Sequence, residues 1–207
     1  MRLLPDPPLL VITDRHQAAP RSLEWVVAAV LEGGARWISV REKDLDPADR
    51  LDLLRRLQPL AEAAEALLMV HDDLQAARQM GLGGLHLPAD GDAAAARALL
   101  PNALIGQSWH GAEPFPALST PCVDYLTLSP IFLTASKPGY GPALGTAGLA
   151  EASTRTAMPI VALGGISQTN IAACMRAGAA GVAVMGSVMR ASDPAGVCAD
   201  LLSCFLK

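Results

Sequence analysis

Short, almost continuous apolar runs alternate with longer amphipathic stretches along the whole chain. Runs without polar alternation are typical of parallel strands that are covered on both faces. Eight of them are predicted as strands: Leu9–Thr13, Trp37–Arg41, Leu67–His71, Gly84–Leu87, Ala103–Gln107, Tyr125–Leu128, Ile160–Leu163 and Gly181–Met185. The stretches between them, several with a Ser, Asp or Pro start signal, predict helices that begin near Ser22, Pro47, Leu74, Asp92, Glu113, Ala147, Asn170 and Pro194.

Repeated strand–helix units predict a parallel sheet, and eight of them favour a sheet that closes on itself. An open, doubly wound sheet is the competing architecture. Its dinucleotide-binding form carries a G-x-G-x-x-G turn after the first strand, whereas this chain continues with DRHQAAP. We therefore predict a single (β/α)8 TIM barrel, an α/β fold formed as one domain by residues 1–207.

Composition narrows the class of protein. The 16 basic and 20 acidic residues are scattered and give a net charge of −4, without the basic stripe of a nucleic-acid-binding surface. The cysteines form no C-x-x-C pair and are interpreted as reduced thiols. The N-terminus lacks a signal-peptide pattern, and no apolar run reaches the roughly 18 residues that a membrane span needs. We expect a soluble, cytoplasmic protein that binds neither nucleic acid nor membrane, with homo-oligomerisation left open.

Glycines follow the last two predicted strands. In a β/α barrel the reacting groups come from the C-terminal ends of the strands and from the loops just after them. Gly164 and Gly165 follow the seventh strand, and Gly186 and Ser187 follow the eighth. Such loops let backbone N–H groups approach an anion. One glycine alone would serve equally well for a tight turn, but glycines at both strands predict a phosphate site.

The loop after the sixth strand combines hydroxyl groups with an ammonium group. Thr134, Ser136 and Lys137 lie there, followed by a Pro-Gly-Tyr-Gly-Pro stretch that is predicted to act as a lid. Arg41 and Lys43 project from the second strand toward the same mouth. An isolated exposed lysine is usually only solvated, whereas this set predicts a second place for anionic groups.

Histidines supply the candidates for proton transfer. His110 comes just past the fifth strand, where an imidazole can move a proton in either direction near neutral pH. His86 alternates with Leu85 and Leu87, so a packed, hydrogen-bonded core histidine is the favoured interpretation over a catalytic one. His71 falls between these cases. His110 is therefore the best general acid/base candidate.

The strand-end motifs resemble those of the thiamine phosphate synthase/TenI superfamily. REKDL, GLHLP, GQSWH, SPIFLTASKPGYGP, ALGGI and GVAVMGS occur in the order seen in that superfamily and cover nearly the whole chain. The resemblance implies a β/α barrel that acts on the thiazole phosphate of thiamine biosynthesis. Two activities are implied: joining a pyrimidine diphosphate to thiazole phosphate with Mg²⁺, or isomerising a thiazole phosphate carboxylate tautomer to its aromatic form without a cofactor.

The chain departs from the synthase pattern at the second strand, at the third strand and in the loop after the fourth. That pattern reads Q-L-R-x-K at the second strand, N-D at the third and G-Q-x-D after the fourth, with two aspartates holding the metal. Here Ser39 replaces the glutamine, His71 replaces the asparagine, and Gly91 stands where the second metal aspartate is expected. Asp72 remains as a metal ligand only if the protein is a synthase, and Asp90 is one residue out of register.

These departures and the HLP segment favour a TenI-type thiazole tautomerase. The alternative is a thiamine phosphate synthase, and a second alternative is a non-catalytic regulator that binds thiazole phosphate. The resemblance implies His110, Ser108 and Lys137 as catalytic residues. It implies substrate binding by Arg41, Lys43, His71, Asp72, His86, Thr134 and Ser136, and phosphate binding by Gly164, Gly165, Gly186 and Ser187.

Overall fold

Parallel strands form a closed barrel in which each strand pairs with the next and the eighth pairs with the first. The computed structural model describes residues 2–110, 122–134 and 142–205. The strands are β1 Leu9–Ile12, β2 Trp37–Val40, β3 Leu67–His71, β4 Gly84–Leu87, β5 Leu104–Trp109, β6 Tyr125–Leu128, β7 Ile160–Leu163 and β8 Gly181–Val184. The predicted (β/α)8 barrel is therefore confirmed.

The described helices follow the strands in regular alternation. They are α1 Arg15–Ala18, α2 Leu23–Glu32, α3 Pro47–Ala63, α4 Leu74–Met80, α5 Ala93–Leu99, α6 Gly145–Thr154, α7 Ile171–Arg176, α8 Gly186–Met189 and α9 Pro194–Ser203. The short helices α1 and α8 were not predicted from the sequence. The helix predicted near Glu113 lies outside the described residues.

Local chemistry explains where these helices begin and end. The Asp46 carboxylate accepts a hydrogen bond from the Asp49 N–H, which satisfies one of the free donors at the start of α3. Asp73 does the same for α4 through the Ala76 N–H at 2.8 Å. Gly81 then ends α4 in the left-handed conformation, with φ +61°, that glycine adopts without a steric penalty.

The barrel interior is a separate, mostly apolar cluster beneath the mouth. Leu10, Trp37, Met69, Tyr125 and Val161 belong to it, while the opposite faces of the strands pack against the helices. Residues at alternate positions of a strand share a face, so Ser39 faces the interior like Trp37. This packed floor leaves the C-terminal ends of the strands to form the site.

The structure corrects one strand boundary that affects the site. Strand β5 continues through Trp109, so Ser108 lies within the strand rather than past it, and His110 is the first residue beyond. The paired register with β6 extends to Trp109 opposite Leu128, which explains the extra length. Among the described helices, none is both long and apolar enough to cross a bilayer.

Candidate functional site

A cavity of about 360 Å³ opens at the C-terminal ends of the strands. That volume is in the range of small-molecule sites. Most of the residues singled out from the sequence line it: Arg41, Lys43, His71, His86, Ser108, His110, Thr134, Gly164, Gly165, Gly186 and Ser187. Asp72 is not among the lining residues, and Ser136 and Lys137 lie outside the described part of the chain.

The glycine cradle, defined as Gly164, Gly165, Gly186 and Ser187, lies on one side of the cavity. Gly165 has φ +63°, and a Cβ there would come within 2.6 Å of the Leu133 carbonyl oxygen. Asn170 fixes this loop, since its Nδ2 donates to the Gly165 carbonyl oxygen at 2.9 Å. Glycine is therefore needed here for both backbone conformation and space, and it keeps the backbone accessible to a ligand.

Two cations from the loop after β2 line the cavity. Arg41 and Lys43 both do so, and Lys43 Nζ lies 3.8 Å from the half-exposed carboxylate of Asp72. Within the described ranges the Arg41 guanidinium forms no ion pair with a carboxylate. These groups create a positive region separated from the glycine cradle by strand β1.

Between these two cations, Glu42 turns away and is buried. Its carboxylate accepts a hydrogen bond from Thr13 Oγ1 at 2.7 Å and one from Arg15 Nη1 at 3.1 Å. Thr13 Oγ1 in turn accepts from the Arg41 N–H at 3.0 Å. The segment after β1 therefore holds the loop that presents Arg41 and Lys43.

Arg15 is also paired with an exposed carboxylate at the rim. Its Nη1 and Nη2 donate to the two oxygens of Asp44 at 2.6 and 2.5 Å. These hydrogen bonds, and then that of His16 to Asp44, hold the pKa of the Asp44 carboxyl well below its usual range. The His16 ring contacts the same carboxylate, with Nε2 2.9 Å from Asp44 Oδ2.

Glu42→Gln is expected to lower the free energy of unfolding by about 2 kcal/mol, because charge-assisted hydrogen bonds to a buried carboxylate contribute about 1.5–3 kcal/mol each. It should also weaken the binding of inorganic diphosphate by loosening the loop that carries Arg41 and Lys43. Urea unfolding and calorimetry measure the two effects. The matched control is Asp44→Asn, which removes the exposed partner of the same arginine and should cost less than Glu42→Gln, because solvent screens an exposed ion pair. Equal losses in both variants would contradict the role given to Glu42.

The floor of the cavity is a buried polar chain. His86 Nδ1 lies 3.0 Å from the Tyr125 hydroxyl, and His86 Nε2 lies 3.1 Å from Ser108 Oγ. The His71 ring stacks against the His86 ring with centroids 4.6 Å apart. Burial, and then the positive charges of Lys43 and Arg41, lower the pKa of His86 to about 3. His86 is thus both the hydrogen-bonded core residue that the sequence favoured and a neutral part of the cavity floor.

His110 lies at the mouth and lines the cavity. Its Nδ1 is 3.3 Å from Ser129 Oγ, a nearly buried hydroxyl that also lines the cavity. A side chain that can orient the ring is what a general acid/base needs. The position predicted for His110 therefore fits proton transfer to a ligand in the cavity.

A second metal-binding carboxylate has no place in the loop after β4. A Cβ on Gly91 would come within 2.9 Å of Leu87 Cβ and 3.1 Å of Pro88 Cδ. Gln107 Nε2 holds this loop by donating to the Gly91 carbonyl oxygen at 3.0 Å. Asp90 is exposed and does not line the cavity. The described residues contain no group of three or more metal-ligating side chains.

One carboxylate still fits a Mg²⁺ ion. Mg²⁺ is commonly bound through one or two carboxylates, with substrate phosphates and water completing its shell. Asp72 is half exposed and lies next to Lys43 at the mouth. Asp72 directly follows β3, and its φ of +59° is unusual for a non-glycine residue. Asp72 would be the protein ligand of a metal carried in with a diphosphate.

Sequence reasoning missed several residues that shape this cavity. Glu42, Gln107 and Tyr125 act through other residues, so their roles depend on contacts that the sequence does not show. The buried glutamate within the charged REKD run carries no signal, because charges are usually solvated. Arg190 lines the cavity from beyond the short helix α8, which the strand pattern did not predict.

Comparisons with known proteins agree on one family. The sequence model of the family described as thiamine monophosphate synthase matches residues 9–188. A Geobacter sulfurreducens protein, provisionally named thiamine-phosphate synthase, is 40% identical over 188 residues, 90% of this chain and 88% of its own. Thiamine-phosphate synthase of Roseiflexus sp. is 36% identical over 89% of this chain and 79% of its own. The structure of thiamine phosphate pyrophosphorylase from Pyrococcus furiosus superposes with a TM-score of 0.83 at 28% identity, covering 95% of this chain and 94% of that one.

Proposed function

The chain belongs to the thiamine monophosphate synthase family, and we propose that it joins hydroxymethylpyrimidine diphosphate to thiazole phosphate. The reaction forms a bond between the pyrimidine methylene carbon and the thiazole nitrogen, and breaks the bond from that carbon to the diphosphate oxygen. The products are thiamine phosphate and diphosphate. The departures from the synthase pattern and the HLP segment favour tautomerisation, whereas the relatives are named for this coupling. We give the relatives more weight because the alignments cover about nine tenths of the chain.

The observation that supports this proposal is that two regions with the chemistry to hold anions line one cavity. The glycine cradle offers backbone donors on the β7 and β8 side, and Arg41 and Lys43 offer positive charge on the β2 side. A coupling of two phosphorylated molecules needs a place for each anionic end. We assign the thiazole phosphate to the glycine cradle and the diphosphate to Arg41 and Lys43, with Asp72 as the ligand of a Mg²⁺ ion that accompanies the diphosphate.

Each side chain has a distinct task in this proposal. Arg41 and Lys43 neutralise the charge that develops on the departing diphosphate, which is the effect that preorganised cations supply best. Mg²⁺, when bound with the diphosphate, adds positive charge to the same oxygens. Ser108, held by His86, presents its hydroxyl to the pyrimidine ring at the cavity floor. We extend the binding role to Thr134, Ser136 and Lys137 by the resemblance of their loop.

A TenI-type thiazole tautomerase is the second candidate. Gly91 leaves no room for the second metal carboxylate, which favours a reaction without a metal. His110 beside Ser129 supplies a residue that can take a proton from one ring position and return it to another. In that reaction the cationic side would hold the carboxylate of the substrate.

One assay separates these functions. The purified protein is incubated with hydroxymethylpyrimidine diphosphate, thiazole phosphate and Mg²⁺, and thiamine phosphate is measured by chromatography. We expect thiamine phosphate at about 0.1 per second or faster, an enzymatic rate. Conversion of the thiazole phosphate carboxylate tautomer, followed by NMR without coupling, would instead support the second candidate. Binding of thiazole phosphate with neither product would identify a regulator.

Two carboxylate variants are the controls for this assay. Asp72→Asn should lose most of the Mg²⁺-dependent rate, since it removes the carboxylate at the mouth that can hold the metal. Asp90→Asn should keep the wild-type rate, because Asp90 is exposed and does not line the cavity. A loss confined to Asp90→Asn would transfer the metal ligand to that residue.

A further inference from the structure

Arg190 lines the cavity beside the glycine cradle, at the end of the short helix α8. It lies three residues after Ser187 and four after Gly186, and its backbone is helical, with φ −90° and ψ −8°. Residues at these spacings share a helix face, and helical side chains point toward the start of the helix. Arg190 therefore follows the β8 part of the glycine cradle directly and lines the same cavity.

The backbone on both sides of Arg190 is held in place by another arginine. Arg21 Nη2 donates to the Met189 carbonyl oxygen at 2.6 Å, and Arg21 Nη1 donates to the Ala191 carbonyl oxygen. Arg21 lies between α1 and α2, so the segment after β1 clamps the end of α8. The position from which the Arg190 side chain starts is thus fixed.

The guanidinium itself is oriented by α1. Arg190 Nη1 donates to Gln17 Oε1, and Gln17 Nε2 donates to Asp14 Oδ2 at 2.5 Å. Asp14 is the cap of α1 and also accepts from the Gln17 N–H. This chain of contacts holds a planar cation at the rim of the cavity.

We propose that Arg190 is the cationic side chain of the phosphate subsite and makes it select a phosphate monoester over the unphosphorylated alcohol. The backbone donors of the glycine cradle are neutral and recognise shape, whereas a guanidinium adds charge and two parallel hydrogen bonds to phosphate oxygens. Gln17 is the positioning residue for it. The identity of the monoester as thiazole phosphate rests on the proposed function, but the anion subsite does not.

Calorimetry on the full-length protein tests this proposal with three probes: thiazole phosphate, the unphosphorylated thiazole alcohol and inorganic phosphate. Arg190→Gln should weaken thiazole phosphate binding on the order of 10- to 100-fold, the loss expected for a charge-assisted hydrogen bond, and leave alcohol binding unchanged. Arg190→Lys should lie between, since it keeps the charge but not the planar fork. Gln17→Leu should give a smaller loss than Arg190→Gln.

The matched control is Arg78→Gln. Arg78 is an exposed arginine in the last turn of α4, and it is not among the residues that line the cavity. Unchanged phosphate binding in this variant excludes a general effect of net charge. Equal thiazole phosphate affinity in Arg190→Gln and wild type, with the fold intact by circular dichroism, would overturn the inference and leave the proposed function standing. Arg190-dependent binding of inorganic phosphate without any binding of thiazole phosphate would support the subsite and reject the proposed substrate.

Discussion

Gly106→Ala is expected to lower the free energy of unfolding by about 3 kcal/mol or more, the sum of overpacking a core and disturbing a buried hydrogen bond. A Cβ at Gly106 would come within 2.1 Å of Tyr125 Cζ and 2.4 Å of its hydroxyl oxygen. Tyr125 is fully buried and packs edge-on against Trp37 with centroids 4.9 Å apart, so its ring has no free space to move into. Displacing the ring also breaks its contact with His86.

Urea unfolding measures this effect, and a second glycine separates sterics from backbone strain. Gly81 has φ +61° and would place a Cβ in open space, so Gly81→Ala should cost only about 1 kcal/mol from the left-handed conformation. Adding Tyr125→Leu to Gly106→Ala should recover part of the loss, as neighbouring sites couple in a double-mutant cycle. A Gly106→Ala protein as stable as wild type would show that the ring is not confined.

The barrel was predictable from the sequence because its strands are apolar on both faces and its units repeat. All eight predicted strands are present, and only β5 differs by more than one residue at an end. The helix caps at Asp46 and Asp73 follow rules that depend on neighbouring residues alone. Patterns among neighbouring residues were therefore enough to predict the fold. The helices α1 and α8 were missed because four residues are too few to show a helical periodicity.

The candidate site was predictable only where side chains sit directly at strand ends. Arg41, His110 and Gly165 were found in this way, and the structure brings them to one cavity. Glu42 and Tyr125 act through partners on other strand units, 29 and 39 residues away in the sequence. Contacts of that separation depend on strand register, which no local pattern specifies.

The buried histidine in the cavity floor, His86, also makes the free energy of unfolding depend on pH. His86 has a pKa of about 3 in the folded protein because it is buried, and because Lys43 and Arg41 oppose its positive charge. In the unfolded chain a histidine titrates near its ordinary pKa of about 6.5. Between these values the unfolded state binds a proton that the folded state does not, so stability falls as the pH falls.

The expected result is a loss of about 2 kcal/mol between pH 6.5 and 5, from 1.36 kcal/mol for each unit of pKa difference that is traversed. Asp124 and Glu24 have carboxyls with a lowered pKa, and these also stabilise the folded state. Their contribution to the free energy of unfolding is lost only as the pH falls past their ordinary pKa values of 3.8 and 4.5. The window from pH 6.5 to 5 therefore isolates the histidine effect from these carboxyls. Urea unfolding across this window measures the slope.

His86→Gln should flatten that slope, whatever its stability at neutral pH, because the titrating group is gone. The matched control is His16→Gln, which removes a histidine whose side chain is 69% exposed and should change the slope less than His86→Gln does. NMR of the histidine rings gives an independent measurement, in which the His86 ring stays neutral at pH 5. A His86 signal that titrates near pH 6.5 in the folded protein would mean that water reaches the ring, and the closed polar floor beneath the ligand would have to be abandoned.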